Sequence, residues 1–315
     1  MTIVNPPRAV ECHRPPNRID VKAGWSCNNR CTFCVQGDKR FEYADKTTDE
    51  VKAMLDEGRA DAEGLVFTGG EVTIRKDLPE LVRHARALGF TTIQIQTNGR
   101  MLAAMPVLER LVEAGVTEVS PALHGPTAAV HDALTRATGS FRQTVKGIRN
   151  ARKLGLTVVT NSVITLDNYE LLPETARLFV ALDVSQYQFA FVHALGTAGQ
   201  NIGKVMPRFS DVESPLKKAL DIGAAAHIPC MVEAVPLCFL RGYEHFAAEW
   251  YIPPTKIFDA TWVIEDYTET RTTEGKAKGE VCRTCARMEA CEGPWREYPQ
   301  HYGWDEFVAI PVGVT

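Results

Sequence analysis

Apolar positions along the chain follow two alternating periods. Short runs rich in β-branched or aromatic residues, each bounded by glycine or turn residues, predict strands at 19–23, 65–68, 92–97, 118–123, 157–164 and 186–192. Helical spacing fills the intervals. Thr47 followed by Glu50 spells a capping box ahead of Val51, Met54 and Leu55, which share one helix face. Phe141, Val145, Ile148 and Ala151 repeat that spacing before Gly155, a residue suited to end a helix. Strands and helices joined by short connections build a parallel sheet, open or closed, and in such folds ligands collect at the carboxyl ends of the strands. Beyond about Gly199 the alternation weakens. A helix over about 212–226, Pro-punctuated strand-like pieces, a polar loop over 268–278 and an aromatic-rich tail follow. A boundary near residue 205 therefore divides the chain into 1–204 and 205–315. No fixed-period repeat is present.

Length and charge narrow the function classes. At 315 residues the chain suits two domains, or one barrel-type domain with an extension. Thirty-five Lys and Arg stand against 39 Asp and Glu, a net charge of −4 that argues against a nucleic-acid partner held by a basic face. The longest apolar-looking stretch, 219–240, is broken by Asp221, His227 and Glu233, so no membrane span is expected. The amino terminus lacks the apolar centre of a secretory signal, which predicts a cytoplasmic protein. Nine cysteines fit a disulfide scheme poorly and, in a reducing compartment, read as metal ligands or reactive thiols.

Three of them, Cys27, Cys31 and Cys34, lie just after the first predicted strand with three and two residues between them. Thiolates so spaced converge on one small inorganic centre. Iron–sulfur clusters normally take four such ligands, and three leave one iron open to a reactant. A zinc ion drawing a fourth ligand from elsewhere is the alternative.

This loop, with the aromatic Phe33 before its last cysteine, resembles that of the radical S-adenosylmethionine (radical SAM) enzymes. The resemblance spans roughly residues 18–200 and includes further pieces. Thr68-Gly69-Gly70-Glu71 looks like the family's glycine-glycine-glutamate motif, although Val72 follows where the family usually has proline. Paired glycines permit close backbone approach, and the carboxyl can accept from an ammonium group. Thr97-Asn98-Gly99 closes the third strand, and Ser120 and Asn161 stand where relatives contact the nucleoside. The resemblance implies a partial (β/α)6 TIM-like barrel holding a [4Fe–4S] cluster on Cys27, Cys31 and Cys34. Phe33, Gly69, Gly70, Glu71, Thr97, Asn98, Ser120 and Asn161 would then surround S-adenosylmethionine. One electron, from a donor such as flavodoxin or ferredoxin, would cleave that cofactor to a 5′-deoxyadenosyl radical that abstracts a substrate hydrogen atom.

The second cysteine group is Cys282-x2-Cys285-x5-Cys291, and Val235-Pro236-Leu237-Cys238 resembles the upstream ligand segment of twitch or SPASM extensions. That likeness implies an auxiliary [4Fe–4S] cluster on Cys238, Cys282, Cys285 and Cys291, with zinc again the alternative. Its expected role is to take an electron from the substrate, making the enzyme an oxidoreductase. Cys12 and Cys230 are left over. A thiol at Cys230 near the cavity would instead return a hydrogen atom and give an epimerase; packing as a small buried hydrophobe is the other reading. Among the histidines, His124 at a strand's carboxyl end is the candidate acid or base, with His131 and His193 beside it as acid/base or structural groups. About 26 residues precede Cys27, fewer than a separate peptide-binding domain needs, which favours a small molecule or a peptide read by the barrel itself. Peptide maturation and, outside enzymology, an iron–sulfur or zinc carrier complete the alternatives.

Overall fold

A computed structural model describes residues 17–313. Six strands, β1 (Arg18–Gly24), β2 (Gly64–Gly69), β3 (Thr92–Thr97), β4 (Glu118–Pro121), β5 (Thr157–Ile164) and β6 (Gln186–Phe191), coincide with those expected from the sequence to within two residues. Three more come from the C-terminal third: β7 (Cys230–Glu233), β8 (Thr255–Phe258) and β9 (Val263–Ile264). They join in the order β7-β6-β5-β4-β3-β2-β1-β8-β9, every pair parallel except β8 with β9. The curved sheet is a partial α/β barrel. Residues beyond 205 extend it at both ends, β7 beside β6 and β8 beside β1.

The pleat sorts each strand into two faces. On β1, Ile19, Val21 and Ala23 are fully buried, while Arg18, Asp20 and Lys22 line an interior cavity. On β3, Ile93 and Ile95 are buried and Gln94 and Gln96 face inward; β6 repeats this with Tyr187 and Phe189 against Gln186 and Gln188. The apolar face packs beneath helices such as Leu78–Leu88, Ser140–Lys153 and Leu172–Ala181. A closed barrel of this kind usually fills its centre with branched apolar side chains. Here the inward positions of β1 and β3 and the first two of β6 are polar, and the centre is a cavity of about 1550 Å³.

Local signals behave as the sequence reads. Thr47 caps the helix Thr48–Gly58 with both halves of the capping box: the Thr47 N–H donates to Glu50 at 2.6 Å, and the Glu50 N–H to Thr47 Oγ1 at 3.2 Å. Gly155 sits at φ +76°, where a side chain would be strained. The helix expected over 212–226 runs Phe209–Ala225. The expected polar loop over 268–278 is instead a helical turn, Tyr267–Thr270, and a π-helical turn, Arg271–Gly275. Arg271, 2% exposed, organises it by clamping Glu292 through Nε at 2.8 Å and Nη2 at 2.6 Å. Tyr267 lies near Glu233 of β7 and near Asp20 and Arg18 of β1, so this segment spans the side that the sheet leaves open. Polarity suggested a solvated loop; a bidentate buried ion pair overrides it. Among the described residues no helix is long and apolar enough to cross a membrane.

Candidate active site

The loop after β1 is tied down from several directions. Asp45 accepts the Trp25 and Ser26 N–H groups at 2.6 and 2.9 Å. Burial pushes its carboxyl up, but these bonds and the Ser26 hydroxyl outweigh that and hold it below the usual range. The Arg30 and Thr32 N–H groups donate to the Thr135 and Leu134 carbonyls at 2.9 and 3.0 Å, and Asn201 Nδ2 donates to the Thr32 carbonyl at 2.9 Å. Arg100 Nη1 donates to the Asn28 carbonyl and, at 2.9 Å, to Asn29 Oδ1. So fixed, Cys27, Cys31 and Cys34 all line the large cavity. Burial pushes each thiol up, and at Cys31 the nearby Cys34 and Cys27 add to it. Bound iron reverses that penalty by holding thiolates. The Cys27 sulfur accepts the Asn29 N–H at 3.4 Å, a bond of the kind that tunes cluster thiolates.

The tips of β1 and β2 nearly touch at the paired glycines. The Gly70 and Glu71 N–H groups donate to the Gly24 and Ser26 carbonyls, each at 2.8 Å. A Cβ on Gly70 would stand 2.4 Å from the Ser26 carbonyl oxygen, and one on Gly69, at φ +126°, 2.2 Å from that of Gly24. The glycines thus let the cysteine loop's own backbone dock on β2.

Glu71 does not face the cavity. Its carboxylate, 2% exposed, accepts from the Thr73 N–H at 3.0 Å, the Thr73 hydroxyl, Thr97 Oγ1 at 2.6 Å and the Asn98 N–H at 2.6 Å. Three of these donors meet Oε1 and one meets Oε2, so internal hydrogen bonds engage both oxygens. Gly69, Gly70, Thr97, Asn98, Ser120 and Asn161 do line the cavity beside Phe33, and Asn161 Oδ1 is buried with no hydrogen-bond partner among the described residues. Phe33 meets His124 edge-on, centroids 4.6 Å apart, and His124 stacks on His131 at 5.7 Å. His124 Nδ1 accepts the Val163 N–H at 3.1 Å, and burial pushes its imidazole well below the usual range, so it is neutral with its proton on Nε2.

Cys230 corrects its assignment as a hydrogen donor. The pleat of β7 turns Met231 and Glu233 into the cavity and Cys230 to the opposite face, against the Leu220 carbonyl at 3.5 Å. Cys12 lies outside the described residues. Cys238, Cys282, Cys285 and Cys291 line a separate small pocket with Pro236, Gly293 and Phe307. Burial, followed by repulsion from Cys291 and Cys282, pushes the Cys238 thiol up to about 12. The Cys285 sulfur accepts the Ile310 N–H at 3.4 Å. Among the described residues no three Cys, His, Asp or Glu side chains are grouped to hold a single metal ion.

The sequence reading missed the polar floor of the cavity. Gln188 Nε2 donates to Glu233 at 2.6 Å, and Thr68 Oγ1 to Gln96 Oε1 at 2.9 Å. Burial pushes the Glu233 carboxyl up, and Glu249 adds to it; burial likewise pushes Lys22 down. The period-two placement of Asp20 and Lys22, Gln94 and Gln96, and Gln186 and Gln188 was the available signal.

A parallel α/β partial barrel with three cysteines after its first strand is the fold of radical SAM proteins, and solved structures agree. SuiB of Streptococcus suis bound to S-adenosylmethionine superposes with a TM-score of 0.66 at 14% identity, over 89% of this chain and 73% of that one. The anSMEcpe structure with bound AdoMet gives 0.56 at 16%, over 68% and 64%. Residues 26–179 match the radical SAM superfamily, so the chain carries a radical SAM domain. It is 32% identical over 189 residues to a PqqA peptide cyclase of Rhodopseudomonas palustris, covering 59% of this chain and 50% of that protein. It is 29% identical over 203 residues to an AdoMet-dependent heme synthase of Oleidesulfovibrio alaskensis, covering 62% and 51%. The chain spans about half the length of these curated relatives.

Proposed function

We propose that the protein is a radical SAM enzyme that removes a hydrogen atom from a polar small molecule or peptide seated in the barrel, completing an oxidation or rearrangement in a biosynthetic pathway. The observation that carries this reading is the convergence of Cys27, Cys31 and Cys34 with Gly69, Gly70, Thr97, Asn98, Ser120 and Asn161 on one end of one cavity. When bound, a [4Fe–4S] cluster and S-adenosylmethionine would supply a 5′-deoxyadenosyl radical that takes the hydrogen atom, one electron from the cluster entering the broken C–S bond and methionine leaving. The donor set fits: three soft thiols with a backbone N–H bond to one of them suit iron and sulfide.

The chain's own contribution is placement and exclusion of water. Asp45 and Arg100 hold the cysteine loop, the Gly69-Gly70 backbone keeps it on β2, and Glu71 fixes the end of β3 from behind. Phe33, 6% exposed, and His124 form the apolar wall beside the thiols. His124, with Nδ1 engaged, would act toward ligand only as an Nε2–H donor. Carboxylates, amides and Lys22 on the floor suit a polar substrate, and relatives that include peptide cyclases and heme synthases support both peptides and small molecules. Flavodoxin or ferredoxin would deliver the electron.

The region 205–315 would be a twitch/SPASM-like extension to the barrel of 1–204, its auxiliary [4Fe–4S] cluster held by Cys238, Cys282, Cys285 and Cys291. The shared pocket supports that ligand set and leaves Cys230 out of it. One short stretch, Gly293 to Glu297, lines the small pocket at its start and the large cavity at its end, which suits electron removal from a substrate. The epimerase reading loses its support with Cys230 facing away.

The test is anaerobic reconstitution followed by dithionite and S-adenosylmethionine. Release of 5′-deoxyadenosine is expected; its complete absence from iron-loaded protein would leave the carrier reading in place. About eight irons per chain are expected, two clusters of four.

A further inference from the structure

The C-terminal region delivers a second set of chemical groups to the same cavity. His193 follows the end of β6 by two residues, and Glu297 opens the helix Glu297–Tyr302. The fold sets His193 Nε2 3.4 Å from a Glu297 carboxylate oxygen, with the two side chains 22% and 17% exposed. The imidazole lies flat on the Trp295 indole, ring centroids 3.8 Å apart and planes within 3° of parallel. All three residues line the cavity. Stacking fixes the plane of the ring, and Nε2 is the edge turned toward the carboxylate. Burial pushes the Glu297 carboxyl up, but the adjacent His193 ring and backbone donation outweigh this and hold it below the usual range, an anion at neutral pH. Arg296 is the neighbouring charge on its own segment. Lys276, on the strand bridge opposite Trp295, lies 4.1 Å from the indole and is engaged by Glu249 at 3.5 Å. Nothing among the described residues takes up His193 Nδ1.

Glu297 Oε2, the oxygen facing His193 Nε2, makes no hydrogen bond among the described residues. An imidazole with one nitrogen facing such a carboxylate and the other turned to a cavity is arranged as a proton acceptor, catalytic contacts of this kind commonly closing only when substrate binds. We propose that His193 is the general base of this cavity, oriented by Glu297 and Trp295, for a substrate bearing an ionisable O–H or N–H next to its reacting carbon. In the step, the substrate's heteroatom–hydrogen bond breaks, its electron pair stays on the heteroatom, and the proton bonds to Nδ1. The imidazolium formed is balanced by the Glu297 carboxylate. The substrate class rests on the radical reading above, since loss of a hydrogen atom from carbon acidifies such a neighbour; the geometry of the dyad does not.

The test uses the iron-loaded protein with 15N-labelled histidine, the His193 signal being assigned by its loss in His193→Gln. The neutral ring is expected to carry its proton on Nε2, and diethyl pyrocarbonate, which acylates free imidazole nitrogens, is expected to label His193. In Glu297→Gln, checked for unchanged iron content, the ratio of the two tautomers should fall roughly tenfold, the equivalent of one charge-assisted hydrogen bond. A proton on Nδ1, no labelling of the folded protein, or the same ratio in Glu297→Gln would overturn the proposal. Missing 5′-deoxyadenosine release by the wild type would strike the radical reading alone.

Discussion

Replacing Glu71 by Gln keeps the shape of the side chain and removes its charge, which isolates what the carboxylate does. Its Oε1 serves Thr73 and, at 2.6 Å, Thr97, while Oε2 serves the Asn98 N–H at 2.6 Å. A glutamine offers one oxygen, so its NH₂ must face a donor on one side. The variant loses one charge-assisted bond, weakens the rest and strands a buried donor, a cost of roughly 2–4 kcal/mol. At about 2–4 °C per kcal/mol for a chain segment of this size, the melting temperature of the iron-loaded protein should fall by roughly 4–16 °C. Glu71→Ala should fall further, because all four donors lose their acceptor. Asn98 Nδ2 also donates to Asn28 Oδ1 at 2.6 Å within the cysteine loop, so the Gln variant should release iron to a chelator faster than wild type. Circular dichroism melts and chelator-release kinetics read both effects. A melting temperature within one degree of wild type, coupled with weaker S-adenosylmethionine binding, would refute the structural account and restore the ammonium contact expected from the motif.

Gly70→Ala should destabilise the cysteine loop strongly, by about 3 kcal/mol or more, because its Cβ would meet the Trp25 and Ser26 carbonyl oxygens at 2.5 and 2.4 Å; low iron content after reconstitution is the readout. Replacing Cys27, Cys31 and Cys34 with Ala should halve the iron and abolish 5′-deoxyadenosine release, while Cys282→Ala with Cys285→Ala should remove about four irons and leave uncoupled cleavage. Zinc in place of those four irons would count against the auxiliary cluster. Stability should also fall as pH drops from about 6.5 to 4. Burial holds His131, 1% exposed, down at about 4, so the unfolded chain binds its proton first and the neutral native ring's contribution, present above 6.5, is lost through that window. The loss is roughly 3 kcal/mol, and urea melts of His131→Gln across this range should show a flatter dependence.

What local order can encode was legible in the residues alone. β-branched runs bounded by turns place six strands, the Thr47–Glu50 box starts a helix, and two cysteine groups announce metal chemistry, because propensity, capping and ligand spacing act within a few residues. The hollow interior was also written in the strands, as the alternating polar residues Arg18, Asp20 and Lys22 of β1, Gln94 and Gln96 of β3, and Gln186 and Gln188 of β6. Three things depended on contacts between residues far apart. Glu71 turns away from the cavity because donors 26 and 27 residues further along surround it. Cys230 leaves the site because strand pleat, set by pairing with β6, decides its side. His193 meets Trp295 and Glu297 only because the tail returns to the barrel across about a hundred residues. Sequence spacing carries no record of such meetings; they follow from long-range packing, where burial and hydrogen-bond satisfaction are settled for the whole chain at once.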